Sequence, residues 1–174
     1  MKIKEYTEAE QAALLEICND RFIDRGTHLE IRHRYNPMVQ VGDRAGWTHR
    51  TGYRYVGINL TTHSEHRLAW LMRTGAFPEG EIDHIDGNRL NQSPDNLRVV
   101  THQENHRNKK RRCDNTSGMM GVHGDKRRGK WHARIKLDGK RIHLGYFDDF
   151  FEAACARKSA EKRYGFHRNH GREA

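Results

Sequence analysis

The run from Glu81 to Asn108, E-I-D-H-I-D-G-N-R-L-N-Q-S-P-D-N-L-R-V-V-T-H-Q-E-N-H-R-N, constrains the fold of this chain more than any other stretch. It opens with a short apolar and acidic strand that ends at Asp83 and His84. Asp86-Gly87-Asn88 follows, a turn signal of the kind that requires positive φ. Ser93-Pro94-Asp95-Asn96 is a second turn cluster, and Leu97 to Val100 is a short β-branched run able to pair back on the first strand. Thr101 with Glu104 three residues later is a capping box, which predicts a helix from His102 to about Lys110 with Asn105 on its second turn. The expected unit is two strands and a helix.

The side chains that such a unit gathers suggest a chemistry. Asp83 supplies an acidic oxygen, His84 a titratable imidazole and Asn105 an amide oxygen. Hard oxygen ligands suit Mg²⁺ or Mn²⁺, which keep several waters, take one or two protein ligands and leave positions for phosphate oxygens. A neutral imidazole beside such an ion can take a proton from a water attacking phosphorus, while the ion stabilises the charge that develops on the phosphate. His102 and His106, four apart on one helix face with Cys113 nearby, could also suggest zinc. No second cysteine is close enough in sequence to complete that site, and histidines so spaced on a polar helix are more often solvated.

The D-H-x-D-G-N run, N-L-R after a turn, and a third polar residue on a capped helix resemble the ββα-metal active site of HNH endonucleases. The match is to the H-N-N variant found in phage and intron-encoded homing enzymes. That resemblance implies that Asp83 and Asn105 ligate one divalent ion, that His84 is the general base, and that Asn96 braces the loop that orients it. Many members of the family carry His as the third motif residue, whereas here Asn105 stands there with His106 next to it. Adjacent helix residues point about 100° apart, so the two assignments exclude each other, and the register of the homing variant favours Asn105. Arg98 either approaches the phosphate or is an ordinary solvated strand residue.

Charge is distributed unevenly. The formal net charge of the chain is +9 and its pI near 9.7, which suits a polyanionic partner. Residues 1–105 hold 13 Lys and Arg against 15 Asp and Glu, whereas residues 106–174 hold 19 against 8. If nucleic acid is the partner, the C-terminal half must carry most of the counterion-releasing contacts. The stretch from His106 to Ser117, with Arg107, Lys109, Lys110, Arg111 and Arg112, reads both as a phosphate-tracking segment and as a flexible solvated linker that orders on the duplex.

After Gly118 come G-V-H-G-D-K-R-R-G-K-W, W-H-A-R-I-K-L, the turn Asp138-Gly139, and K-R-I-H-L-G-Y-F, which predict three strands. Alternation puts Trp131, Ala133, Ile135 and Leu137 on an inward face, joined by Ile142, Leu144 and Tyr146 of the next strand. Lys130, His132, Arg134, Lys136, Arg141 and His143 fall on the open face, where cationic side chains can reach phosphates and base edges. Asp149 with Glu152 caps a following helix whose Ala153, Ala156, Ala160 and Tyr164 recur at helical spacing, and Gly165 ends it. G-V, G-K-W-H-A-R-I, L-G-Y-F and the Ala-rich helix ending Y-G resemble the Apetala/ethylene-response-factor DNA-binding domain. In that family the sheet enters the major groove, and its contact positions correspond here to Arg134, Lys136, Arg141 and His143. His143 replaces the family's usual aromatic, so base preference does not carry over.

The remaining sequence is less specific. Thr7 with Glu10 predicts a helix from Glu8 to about Phe22, with Ala12, Leu15 and Ile17 among its apolar positions. Residues 45–60 suggest a hairpin, and Ser64 a cap for a helix carrying Arg67, Leu68, Trp70 and Leu71. The A-G-W, G-Y and H-R-L-A-W pieces also resemble the region before the motif in phage HNH enzymes, with His66 expected to be structural. Cys18, Cys113 and Cys155 are widely spaced, which fits reduced thiols. No apolar span approaches membrane-crossing length and Met1 to Glu5 lacks a signal-peptide apolar region, so a cytoplasmic location, that of the bacterial host if phage-encoded, is expected.

These readings converge on an α+β chain. Residues 1–110 are expected to form an HNH (His-Me finger) nuclease domain with its core at 81–110, residues 111–117 a basic linker, and residues 118–167 a three-stranded antiparallel sheet with a helix. The expected activity is metal-dependent endonucleolytic hydrolysis of double-stranded DNA by a homing-like enzyme, nicking as a monomer, with one Mg²⁺ or Mn²⁺ and no small-molecule cofactor. The competing readings are a sequence-binding protein with a silent nuclease fold and a restriction- or packaging-associated HNH nuclease.

Overall fold

The computed structural model describes residues 6–108, 111–168 and 170–172. The chain divides after Val100 into two units, 1–100 and 101–174.

In the first unit, Thr7 and Glu10 form the reciprocal capping box that opens α1 (Glu8–Arg21). The helix buries Leu14 and Cys18, while Ala12, expected among its apolar positions, is exposed. A short antiparallel pair follows, β1 (Phe22–Asp24) with β2 (Leu29–Ile31). The hairpin expected over 45–60 is a three-stranded sheet in which β4 (Arg54–Ile58) lies between β3 (Trp47–Thr48) and β5 (Thr61–Ser64). Gly46 is required there. Its φ is +76°, and a Cβ would stand 1.9 Å from the Tyr55 carbonyl oxygen. Ser64 precedes α2 (Glu65–Thr74) but makes no side-chain cap bond, and Gly75 ends the helix in the left-handed region. Leu68, Ala69 and Leu71 of α2 close over Phe22, Leu29, Ile31, Val56 and Ile58 to form the core. Each large apolar side chain so enclosed contributes about 1.5–3 kcal/mol. The unit ends with the hairpin β6 (Glu81–His84) and β7 (Leu97–Val100), joined by a long loop that includes one 3₁₀ turn at Pro94–Asn96.

The second unit begins with α3 (His102–His106), capped by Thr101 and Glu104 as the sequence predicts. It stops short of the predicted Lys110. The Arg107 N–H bonds to the carbonyls of both Gln103 and Glu104, tightening the last turn. Lys109 and Lys110 lie outside the described residues, as does the side chain of His106. The sheet has the order β10-β9-β8, from β8 (Val122–Asp125), β9 (Lys130–Leu137) and β10 (Lys140–Phe147), all antiparallel. Asp138 and Gly139, both at positive φ, make the tight turn between the last two. Asp149 caps α4 (Phe150–Arg163) through the Glu152 N–H, and Ala153 of the helix packs on Val122 and Ala133.

The alternation expected along β10 fails at one place. The register shifts between His143 and Gly145, a bulge that moves every later side chain to the opposite face. Tyr146, expected inside, therefore stands on the open face with its ring stacked 4.8 Å from that of His132. Phe147 takes the inward place against the core.

Described residues of the basic stretch after α3 are hydrogen-bonded within their own unit. The His167 N–H donates to the Arg107 carbonyl, the Arg111 N–H to the Arg172 carbonyl, and Arg172 Nη1 to both oxygens of Asn108. Backbone pairing with the chain's last segment thus holds residues expected to form a flexible linker.

Candidate active site

The β6–β7 hairpin pairs Asp83 with Arg98 and His84 with Leu97. Asp83 and His84 are both buried, at 7% and 3% exposure. Direct opposition brings the Arg98 guanidinium onto the Asp83 carboxylate, with Nε and Nη2 at 3.1 and 2.8 Å from Oδ2. Neither expectation for Arg98, phosphate contact or free solvation, describes this pairing.

The loop beyond His84 is cross-tied by amides. Gly87, at φ +75°, donates its N–H to the His84 carbonyl. Asn96 accepts from the Asp86 N–H at 2.9 Å and donates to the Asn91 carbonyl at 2.9 Å, while its own carbonyl accepts from the Ile85 N–H. Asn91 donates in turn to the Asp86 carboxylate. Burial alone would raise the Asp86 pKa, but hydrogen bonds from Asn91, Asn88 and Asn96 outweigh it and hold the group below the usual carboxylate range.

His84 Nε2 lies 3.0 Å from Gln92 Oε1. Gln92 is fully buried, and its amide nitrogen donates to Glu65 Oε2 at 3.1 Å and to the Arg89 carbonyl at 3.0 Å. Two acceptors on that side fix the amide with its nitrogen toward them and its oxygen toward the imidazole. The imidazole nitrogen at this contact, His84 Nε2, therefore faces an acceptor. Gln92 is itself held, its N–H by the Thr27 carbonyl and its carbonyl by Arg73. Glu65, also fully buried, accepts from the Leu29 N–H and from both Nε and Nη2 of Arg44.

The His84 ring is further enclosed by aromatic neighbours. His66 meets it edge to face at 5.4 Å and Tyr53 packs at 6.1 Å, with the Arg89 guanidinium 4.4 Å over the tyrosine. Burial pushes the His84 pKa down, against the opposing pull of Gln92, Asp86 and Asp83, so the ring is neutral at neutral pH. The His66 pKa is pushed down to about 3, first by burial, then by the neighbouring His84 imidazole and the Arg67 and Arg89 cations, all of which disfavour a charge on the ring. Its Nδ1 is enclosed with no hydrogen-bond partner among the described residues.

Asp83, His84 and Asn96 thus meet on one hairpin and its loop, while Asn105 belongs to the second unit, on α3. Among the described residues no group of three or more His, Cys, Asp or Glu side chains is arranged to hold a metal ion. The donor types present fit a hard divalent ion, which needs only one or two protein oxygens, and such an ion on Asp83 would share its carboxylate with Arg98 or replace it. Gln92, Glu65 and Arg44 were not singled out from the sequence. The only local hint was acidic Glu65 in the first turn of a helix, a common capping preference.

On the second unit, register sets Lys136 opposite Arg141, Arg134 opposite His143, and His132 opposite His123. Like charges directly opposed destabilise a sheet unless an anion offsets them. Arg134 Nη2 lies 3.2 Å from His123 Nε2, and His132 Nε2 2.9 Å from His143 Nδ1. Lys130 pairs with Asp148 at 3.0 Å and Arg112 with Asp114 at 2.7 Å, while Arg111 bonds to the Gly118 carbonyl. Lys109 lies outside the described residues.

With this geometry in place, residues 64–107 match the family described as HNH endonuclease. That likeness is confined to this segment. The segment contains Glu65, His66, Asp83, His84, Gln92, Asn96 and Asn105. The chain is also 42% identical over 77 residues to Protein 3.8 of Escherichia phage T7. That alignment covers 44% of this chain and 64% of the phage protein, so the chain spans less than two thirds of that relative's length. No solved structure matches the chain. No helix among the described residues is long and apolar enough to cross a membrane.

Proposed function

We propose that the chain is a divalent-metal-dependent endonuclease that hydrolyses phosphodiester bonds in double-stranded DNA, nicking one strand per encounter. The observation that carries this reading is the state of His84. It is a buried imidazole whose Nε2 lies 3.0 Å from the Gln92 amide oxygen, next in sequence to a buried carboxylate, within the segment that matches the HNH family. In this reading His84 Nδ1 takes a proton from the attacking water. Asn96 holds the loop so that the ring keeps its direction. Asp83 and Asn105 are the oxygen donors that would hold Mg²⁺ or Mn²⁺, which supplies electrostatic stabilisation of the charge developing on the phosphate.

Affinity for DNA is assigned to the second unit, through Lys130, His132, Arg134, Lys136, Arg141 and His143 on the open sheet face, and to the basic residues Lys109, Arg111 and Arg112. The excess of cations in residues 106–174 supports this division. The homing-like character, an Apetala-type sheet, a nuclease domain reaching residue 110 and a cytoplasmic site of action belong to the same proposal.

The test is cleavage of supercoiled plasmid by wild-type and His84→Ala protein with Mg²⁺, with Mn²⁺ and with EDTA. Metal-dependent open circles that His84→Ala abolishes are expected. Tight, salt-sensitive binding without cutting by the wild type would replace the nuclease with a binding protein.

A further inference from the structure

We propose that Gln92 and Glu65 are positioning residues that set the tautomer of His84, Gln92 directly and Glu65 by holding the Gln92 amide. This rests on the nuclease reading above and extends it to residues outside the metal and base set.

The argument is geometric. An imidazole can place its proton on either nitrogen, and a general base needs its lone pair on the nitrogen that faces the water. Gln92 Oε1, 3.0 Å from Nε2, can only accept, so it selects the Nε2–H form. A glutamine amide left to itself could turn over and present its NH₂ group, which would select the opposite tautomer. Two acceptors on the far side prevent the turn, the Glu65 carboxylate at 3.1 Å and the Arg89 carbonyl at 3.0 Å. Glu65 cannot swing away, because the Leu29 N–H and the Arg44 guanidinium hold it. The series Arg44, Glu65, Gln92, His84 therefore runs from β2's neighbourhood through the start of α2 and the loop to the end of β6.

A neutral amide between the imidazole and the carboxylate has a second effect. When Nδ1 takes a proton from water, the ring becomes a cation that still donates from Nε2 to the Gln92 oxygen. The negative end of the amide dipole faces that cation and the positive end faces Glu65. No proton moves beyond the ring, since the Gln92 oxygen only accepts and its amide N–H groups are far too weakly acidic to pass a proton to Glu65. Glu65 thus acts through orientation and charge, not as a proton acceptor. Direct contact between a carboxylate and the ring would bind the cation more tightly than this amide spacer does.

The experiment uses the full chain, labelled with ¹⁵N, in EDTA. Long-range ¹H–¹⁵N correlation at pH 7.5, on the order of one unit above the ordinary imidazole pKa, reads the tautomer of His84, assigned by loss of its signals in His84→Ala. Wild type is expected to show Nε2 protonated and Nδ1 bare. Gln92→Met, close in volume and lacking the amide oxygen, is expected to release the ring toward the mixture of Nε2–H and Nδ1–H forms shown by an unconstrained imidazole. Glu65→Gln, which removes the charge but not the shape, is expected to produce a mixture. Nicking rates at saturating plasmid should fall about tenfold to a hundredfold in Gln92→Met and less in Glu65→Gln, with plasmid affinity unchanged. An Nδ1–H ring in wild type overturns the proposal whether or not either variant folds, and so does an unchanged tautomer in a folded Gln92→Met. If wild type shows the expected tautomer but cuts no plasmid under any metal, the nuclease reading fails and the orienting contact stands.

Discussion

Replacing His66 by Gln should flatten the acid side of the first unit's stability profile. His66 is held neutral in the fold, with its pKa pushed down to about 3 by burial and by neighbouring positive charge. In the unfolded chain the same ring titrates near ~6.5. Between those two values the unfolded state binds a proton that the folded state refuses, so stability rises with pH there. The contribution is therefore intact above about pH 6.5 and is lost progressively as pH falls toward the folded value. Each pH unit in that window corresponds to about 1.4 kcal/mol, which gives on the order of 2 kcal/mol at pH 5 for a fully enclosed ring. Part of His66 still reaches solvent while its Nδ1 is enclosed, so a loss of about 1–2 kcal/mol between pH 7 and pH 5 is expected from this residue. His84, also lowered by burial, adds to the slope in the same direction and is common to both proteins. Urea denaturation at the two pH values would be followed by tryptophan fluorescence in a Trp131→Phe background, so that Trp47 and Trp70 report on the first unit alone. The His66→Gln protein should lose about 1–2 kcal/mol less than its parent on acidification. Equal losses in the two proteins would refute the reasoning, since no other change removes this proton-binding difference.

Two further outcomes concern stability. Leu60 is fully exposed at φ +61° in the two-residue turn between β4 and β5, where the left-handed region costs a non-glycine residue about 1–2 kcal/mol. Leu60→Gly should therefore raise stability by roughly 0.5–1 kcal/mol after the entropy cost of glycine, and a lowered thermal midpoint would contradict the strain argument. Arg44→Met leaves the buried Glu65 carboxylate without its guanidinium partner at 2.6 Å, which should cost about 3 kcal/mol in urea denaturation. A loss below about 1 kcal/mol would mean that Leu29 and Gln92 suffice to hold the charge.

What could be read from the sequence was local. The capping boxes of Thr7 with Glu10 and Thr101 with Glu104 span three residues and form as predicted, because both partners lie within one turn of chain. The β6–β7 hairpin follows from two short runs separated by turn residues, and once its register is set, Asp83 must face Arg98. Tyr146 departs from its expected face. A bulge adds one residue to one strand, and nothing in K-R-I-H-L-G-Y-F besides Gly145 marks where the period of two will break.

The positioning series is the part that local reasoning cannot reach. Arg44, Glu65 and Gln92 are separated by 21 and 27 residues and lie on an irregular segment, a helix start and a loop. Each has a bland local reading: a surface arginine, an acidic first-turn residue that complements the helix dipole, a polar loop residue. Their joint meaning appears only when burial is known, because a fully enclosed carboxylate and a fully enclosed amide must both be satisfied, and the two needs meet at His84. The residues that perform a reaction are thus easier to find in a sequence than those that aim them. Reacting groups are restricted to a few chemistries at short spacing. Aiming groups need only reach, and any segment the fold brings near can supply one.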